Sequence, residues 1–156
     1  MMLATHLPAL VIVIPLVCAP LCVLLRRKDW AFMVALLATW ASFACSIMLT
    51  AQVMQSGTIS YAMGGWAPPY GIEIRIDALN AYILLIVSGI GSIVTPYARS
   101  SMLLEYIEER AYLFYSAYLL CLCGLMGVVA TGDAFNLFVF LEISSLSAYA
   151  LIALGK

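Results

Sequence analysis

Apolar residues gather into five long runs along the chain: Leu7 to Leu25, Trp30 to about Met54, Ala78 to about Pro96, Ala111 to Ala130, and about Ala134 to Leu154. Each run is close to the roughly 17–25 residues that a helix needs to cross the hydrocarbon core of a bilayer. None alternates with period two, and all are too long for membrane strands, so a barrel is excluded. The pattern predicts an all-α integral membrane protein, with five transmembrane helices in a single membrane domain over residues 1–156.

The longest connection, Gln55 to Asp77, lies between the second and third runs. Thr58-Ile59-Ser60-Tyr61 reads as one strand, and Ile72-Glu73-Ile74-Arg75-Ile76-Asp77 alternates strictly as a second. Pro68-Pro69-Tyr70-Gly71 supplies turn chemistry between them. Trp66 suits a membrane–water interface. A small extracytoplasmic β-hairpin between helices two and three is the expected form. The connection from Ser100 to Arg110 mixes Leu103, Leu104, Tyr106 and Ile107 with Glu105, Glu108 and Glu109. It reads equally as a short interfacial helix or as a solvated charged turn.

Composition agrees with the pattern. Hydrophobic residues make up 65% of the 156 residues and charged residues 10%, against about half and a quarter in an ordinary soluble domain. With a net charge of −1 the chain has no electrostatic footprint for nucleic acid. The first run is not expected to be a secretory signal, since no basic residue precedes it and Arg26, Arg27 and Lys28 follow it.

Charge placement orients the spans. Arg26, Arg27, Lys28, Arg99, Arg110 and Lys156 fall on one side of a five-span topology, six residues against Arg75 alone on the other. The positive-inside rule puts the N-terminus outside and the C-terminus in the cytoplasm, with the chain multi-pass in the cell inner (cytoplasmic) membrane and in contact with its lipid.

Within this apolar sequence Glu142 stands out. It sits eight residues past the start of the fifth run, about 12 Å deep at 1.5 Å per residue. A charge near the middle of a bilayer costs on the order of 3 kcal/mol on insertion scales, so it needs a partner, water or a proton. Ser145 and Tyr149, at i+3 and i+7, share its helical face, while Asn136, Ser144 and Ser147 form a second polar stripe. A helix polar on two sides is expected to be enclosed by other helices, with the Asn136 stripe the one poorly covered within this chain. Two readings follow. In one, Glu142 pins the bundle by hydrogen bonding to hydroxyls. In the other it is a carboxylate in a proton or cation pathway, since desolvated carboxyls hold a proton more readily. Asp133 is most simply an N-cap at the outer end of that helix, with a place at the pathway mouth as the alternative. Tyr112, Tyr115 and Tyr118 read as a packing seam. Ser88, Gly89, Gly91, Ser92, Gly124 and Gly127 are small residues that permit close helix contact.

The remaining chemistry is sparse. Cys18, Cys22, Cys45, Cys121 and Cys123 are an odd set in apolar runs, and His6 is the only histidine, so neither a disulfide framework nor a metal site is expected. No phosphate loop, dinucleotide fingerprint or serine–histidine pair occurs, so no cofactor and no catalytic site are expected. No internal repeat is present, although many transporters are built from two.

The run Thr131-Gly132-Asp133-Ala134-Phe135-Asn136-Leu137-Phe138-Val139-Phe140-Leu141-Glu142-Ile143-Ser144-Ser145-Leu146-Ser147-Ala148-Tyr149-Ala150-Leu151-Ile152 resembles the fifth helix of the antiporter-like subunits of respiratory complex I and of Mrp-type cation/proton antiporters. The segment from Gly64 to Asn80 is similar to their N-terminal hairpin region, most of all to the D-type Mrp subunit. The resemblance implies a proton-translocating subunit in which Glu142 pairs with a lysine on the seventh helix; Ser145 and Tyr149, which share its face, and Asp133 at the mouth are the further candidates for the path. It implies other membrane subunits as partners, protons as cargo with Na⁺ as the exchanged ion on the Mrp branch, and NADH:quinone oxidoreduction as the driver on the complex I branch. Family members carry many more helices. Lys156 is terminal and cytoplasmic and is not the partner lysine, so the expected identity is the N-terminal part of a split or truncated subunit. The alternative is a non-conducting structural subunit of such an assembly.

Overall fold

The computed structural model describes residues 6–66, 71–105 and 110–154. The expected turn at Pro68-Pro69-Tyr70, the segment Tyr106 to Glu109, and Lys156 lie outside the described residues.

Five helices are long and apolar enough to cross a membrane. They are α1 (Leu7–Leu25), α2 (Lys28–Ser56), α3 (Ala78–Glu105), α4 (Ala111–Ala130) and α5 (Ala134–Leu154), with β1 (Ile59–Ala62) and β2 (Glu73–Ile76) between α2 and α3. Only Arg26 and Arg27 separate α1 from α2. Such a short link makes the two helices antiparallel neighbours. The turn is made by Arg26 in the left-handed region, at φ 49°.

The helices pack through small side chains. α2 buries Ala31, Ala35, Ala38, Ser42, Cys45 and Leu49, a seam of alternating three- and four-residue steps. One core cluster joins Val11 and Ile12 of α1, Cys45 and Leu49 of α2, Leu84 of α3 and Leu122 and Met126 of α4. A second, toward the α1–α2 turn, joins Ala19 and Cys22 with Ala31, Ala35, Tyr115 and Leu119. Helices α1 to α4 thus form a bundle, and α5 lies outside it against α4.

Helix α3 passes Pro96 and continues to Glu105, beyond the end that the apolar pattern marked. Proline removes one helical donor, and membrane helices tolerate this where nearby side chains satisfy the freed backbone. The carbonyl that loses its donor at Pro96 is that of Ser92, and the hydroxyls beside it bond other carbonyls, Ser92 that of Gly89 and Thr95 that of Gly91, each at 2.8 Å. The connection after Ser100 therefore begins as helix.

The hairpin has the expected antiparallel form, with Ile59 opposite Ile76 and Tyr61 opposite Ile74. Ile74 and Ile76 are buried against the bundle end, while Arg75 points out and Ile72 is exposed. Two further contacts seat it. His6, just before α1, hydrogen-bonds the Tyr61 hydroxyl at 2.8 Å, and the Gly132 N–H donates to the Glu73 carbonyl at 2.9 Å.

Candidate functional site

The site is built on α5, whose start is fixed by Asp133. The Asp133 carboxylate accepts the Phe135 N–H at 3.1 Å, and its carbonyl accepts the Leu137 N–H at 3.0 Å. This is N-cap geometry, satisfying a donor that the first turn leaves orphaned. The preceding loop is also pinned, because Thr131 bridges Ile74 of β2.

The face that α5 turns to α4 is selected by two glycines. A Cβ on Gly124 would stand 2.7 Å from the Ser144 nitrogen and 2.9 Å from the Phe140 carbonyl oxygen. At Gly127 it would run into the Phe140 ring. Only glycine lets the backbones approach so closely, as at other small-residue helix contacts. Asn136, Ser144 and Ser147 are consequently the buried residues of the helix. Ser144 and Ser147 donate to the carbonyls of Leu141 and Ile143. The Asn136 amide nitrogen is buried without a partner among the described residues.

This reverses one expectation. The Asn136 stripe is the covered one, and the open face is that of Glu142, Ser145 and Tyr149. Glu142 lies two positions before Ser144, about 200° around the helix at 3.6 residues per turn, and so points away from α4. It is exposed, as are Ser145 and Tyr149, and Tyr149 retains 68% of its surface. Phe135, Phe138 and Ile152 continue the same open face at 73%, 62% and 75%. Glu142, Ser145 and Tyr149 thus share a surface, whereas Asp133 sits nine residues away at the helix start, about 14 Å along the axis.

A second polar feature lies inside the bundle. Thr39, Ser42 and Ser46 of α2 face Ser88, Ser92 and Thr95 of α3, all at 0–2% exposure. The Thr95 and Thr39 hydroxyl oxygens lie 3.3 Å apart, and the Ser42 hydroxyl has no partner among the described residues. In the sequence, Ser88 and Ser92 read only as packing residues. Thr39, Ser42 and Ser46 at i, i+3 and i+7 are the signal that would have shown the seam. Helix α4 separates it from Glu142's face.

The tyrosines pack as a seam. Tyr115 is buried with its ring 5.8 Å from Phe32, and Tyr118 donates to the Gly91 carbonyl at 2.7 Å. The five cysteines are free. The Cys22 and Cys123 thiols lie 3.6 and 3.5 Å from the carbonyls of Ala31 and Ile12. Among the described residues no group of three or more histidine, cysteine or carboxylate side chains is placed to hold a metal.

No known family profile matches the chain. Individual proteins do. The N subunit of NADH-quinone oxidoreductase from Desulforudis audaxviator is 40% identical over 98% of this chain and 31% of its own length. The D-type subunit of a Na(+)/H(+) antiporter from Alkalihalophilus pseudofirmus is 34% identical over 70% of this chain and 22% of its own length. Among solved structures, a chain of the archaeal membrane-bound sulfane sulfur reductase superposes with a TM-score of 0.84 at 30% identity, over 93% of this chain and 30% of that one. A chain of the Mrp complex from Dietzia sp. gives 0.82 at 25% identity, over 97% and 27%. The chain spans about a third or less of the length of these relatives.

Proposed function

We propose that this chain, whose homologues are the N subunit of NADH-quinone oxidoreductase and the D-type subunit of Na(+)/H(+) antiporters, is the N-terminal part of a proton-translocating antiporter-like subunit in a multisubunit membrane complex. The observation that carries the reading is the carboxylate of Glu142 halfway along an apolar helix, on a face that nothing in the described chain covers. A membrane carboxylate without a partner is costly. The chain spans 31% of its N-type relative, and the additional helices of such a relative are what would cover this face. In the assembled complex Glu142 takes up and releases the proton, Ser145 and Tyr149 line its path, and Asp133 caps the helix at the mouth.

The N-terminus and the hairpin lie outside and the α1–α2 turn lies in the cytoplasm, which the six-to-one distribution of Lys and Arg supports. The proton moves in exchange for a cation or is driven by quinone reduction on other subunits, according to the assembly that the chain enters. Its partners are the other membrane subunits of that complex.

A hydrophobic carbodiimide, which reacts with carboxylic acids held in apolar surroundings, tests the site. In membranes carrying the whole complex, modification should map to Glu142 and stop proton flux in proportion to its extent. Complete modification of Glu142 with undiminished flux would favour the rival reading, a structural subunit that conducts nothing.

A further inference from the structure

A groove of about 750 Å³ runs down the outside of the bundle between α1 and α4, lined by Leu16, Pro20, Val23, Leu24, Arg26, Ser116 and Leu120. It lies toward the α1–α2 turn, beyond the level at which Gly124 and Gly127 seat α5. Behind it, Ala19 and Cys22 of α1 pack with Tyr115 and Leu119 of α4. Its walls are mostly aliphatic, and Leu24 keeps 77% of its surface uncovered. Pro20 has no N–H for the Leu16 carbonyl, so the helix is loosened on the groove side.

Length and charge together indicate the occupant. From Leu16 to Arg26 is ten residues, about 15 Å of helix. That is half of a hydrocarbon core of about 30 Å. A packed transmembrane helix would need a groove along the full span; a groove of one leaflet's depth matches an acyl chain. At the mouth, where that leaflet's headgroups lie, the chain places Arg26, followed by Arg27. Arg26 is held in the left-handed region that ends α1. None of the lining residues is acidic. Asp29, the carboxylate after the turn, pairs with Arg99 at 3.3 Å. Basic pockets between membrane helices select anionic headgroups over zwitterionic ones.

We infer that the α1–α4 groove is a binding site for an anionic phospholipid, its phosphate on Arg26 and one acyl chain lying along Val23, Pro20 and Leu16 against Leu120. The site does not depend on proton translocation by Glu142, and the two fail separately.

The test uses membranes containing the chain in its natural assembly, supplied with a trace of phosphatidylglycerol or phosphatidylcholine bearing the same photoactivatable acyl chain. Crosslinks are mapped by mass spectrometry. Phosphatidylglycerol should label the Leu16–Leu24 and Ser116–Leu120 peptides about fivefold more than phosphatidylcholine, the preference that one basic contact supplies. Arg26→Gln should erase the preference, and Arg26→Lys, which keeps the charge, should retain it. Leu120→Phe should lower groove labelling by both lipids while labelling elsewhere stays constant. Equal labelling by the two lipids in the unaltered chain would overturn the proposal, as would a preference that survives Arg26→Gln. Failure of either lipid to reach the groove, with crosslinks to a neighbouring subunit instead, would show that protein fills it and would overturn the proposal too.

Discussion

Replacing Gly124 by alanine should detach the helix that carries Glu142. The added Cβ would lie 2.7 Å from the Ser144 nitrogen and 2.9 Å from the Phe140 carbonyl oxygen, where ordinary contact begins near 3.4 Å. Both obstacles are backbone atoms of α5, so no rotamer change relieves them and the helices must part by several tenths of an ångström. Overpacking of this kind costs about 1–3 kcal/mol. The better helix propensity of alanine returns at most about 1 kcal/mol, so the net effect is a loss. At Gly127 the obstacle is the Phe140 ring, which can swing, so Gly127→Ala should be milder. Equilibrium unfolding in mixed micelles measures both. Phe140→Leu then separates them in a double-mutant cycle: it should restore part of the loss in Gly127→Ala and none in Gly124→Ala. A Gly124→Ala variant as stable as the parent, or one rescued by Phe140→Leu, would refute the close backbone contact.

Further predictions concern the rest of the bundle. Ile76→Ala removes a fully buried side chain under the hairpin and should cost about 2–5 kcal/mol in the same unfolding assay. Ser42→Ala deletes a buried hydroxyl with no partner among the described residues and should be neutral or stabilising. Thr95→Val removes the hydroxyl that donates to the Gly91 carbonyl beside Thr39 and should cost about 1 kcal/mol. Single cysteines at Ser60 and Ser101, in a cysteine-free background, should react with an impermeant maleimide from opposite sides of sealed vesicles; reaction of both from one side would contradict the five-span topology.

The helices were legible because length and apolarity are local properties, and so was the hairpin, because strict alternation at Ile74 and Ile76 marks a buried face. The end of α3 was not. Proline reads as a stop in sequence, yet it removes a single helical donor, and a membrane helix can run on past it, as α3 does to Glu105. The two polar stripes of α5 were visible from their spacing, but which of them is covered was not. That choice depends on Gly124 and Gly127 of another helix meeting Phe140 and Ser144, a pairing that no periodicity within α5 contains. The seam of Thr39, Ser42 and Thr95 was legible in half: Thr39, Ser42 and Ser46 share one face of α2 by their spacing, but the partner face on α3 is set by packing between the two helices.

Whether Glu142 carries a proton can be read from ion flux in membrane vesicles containing the whole complex. Glutamine keeps the shape of the side chain and removes its titration. Aspartate keeps the acid and draws it back by one methylene. With subunit levels matched by immunoblotting, Glu142→Gln should abolish flux or reduce it strongly, and Glu142→Asp should retain part of it. Full flux in the glutamine variant at normal subunit levels would make Glu142 a structural acid and place the proton path elsewhere.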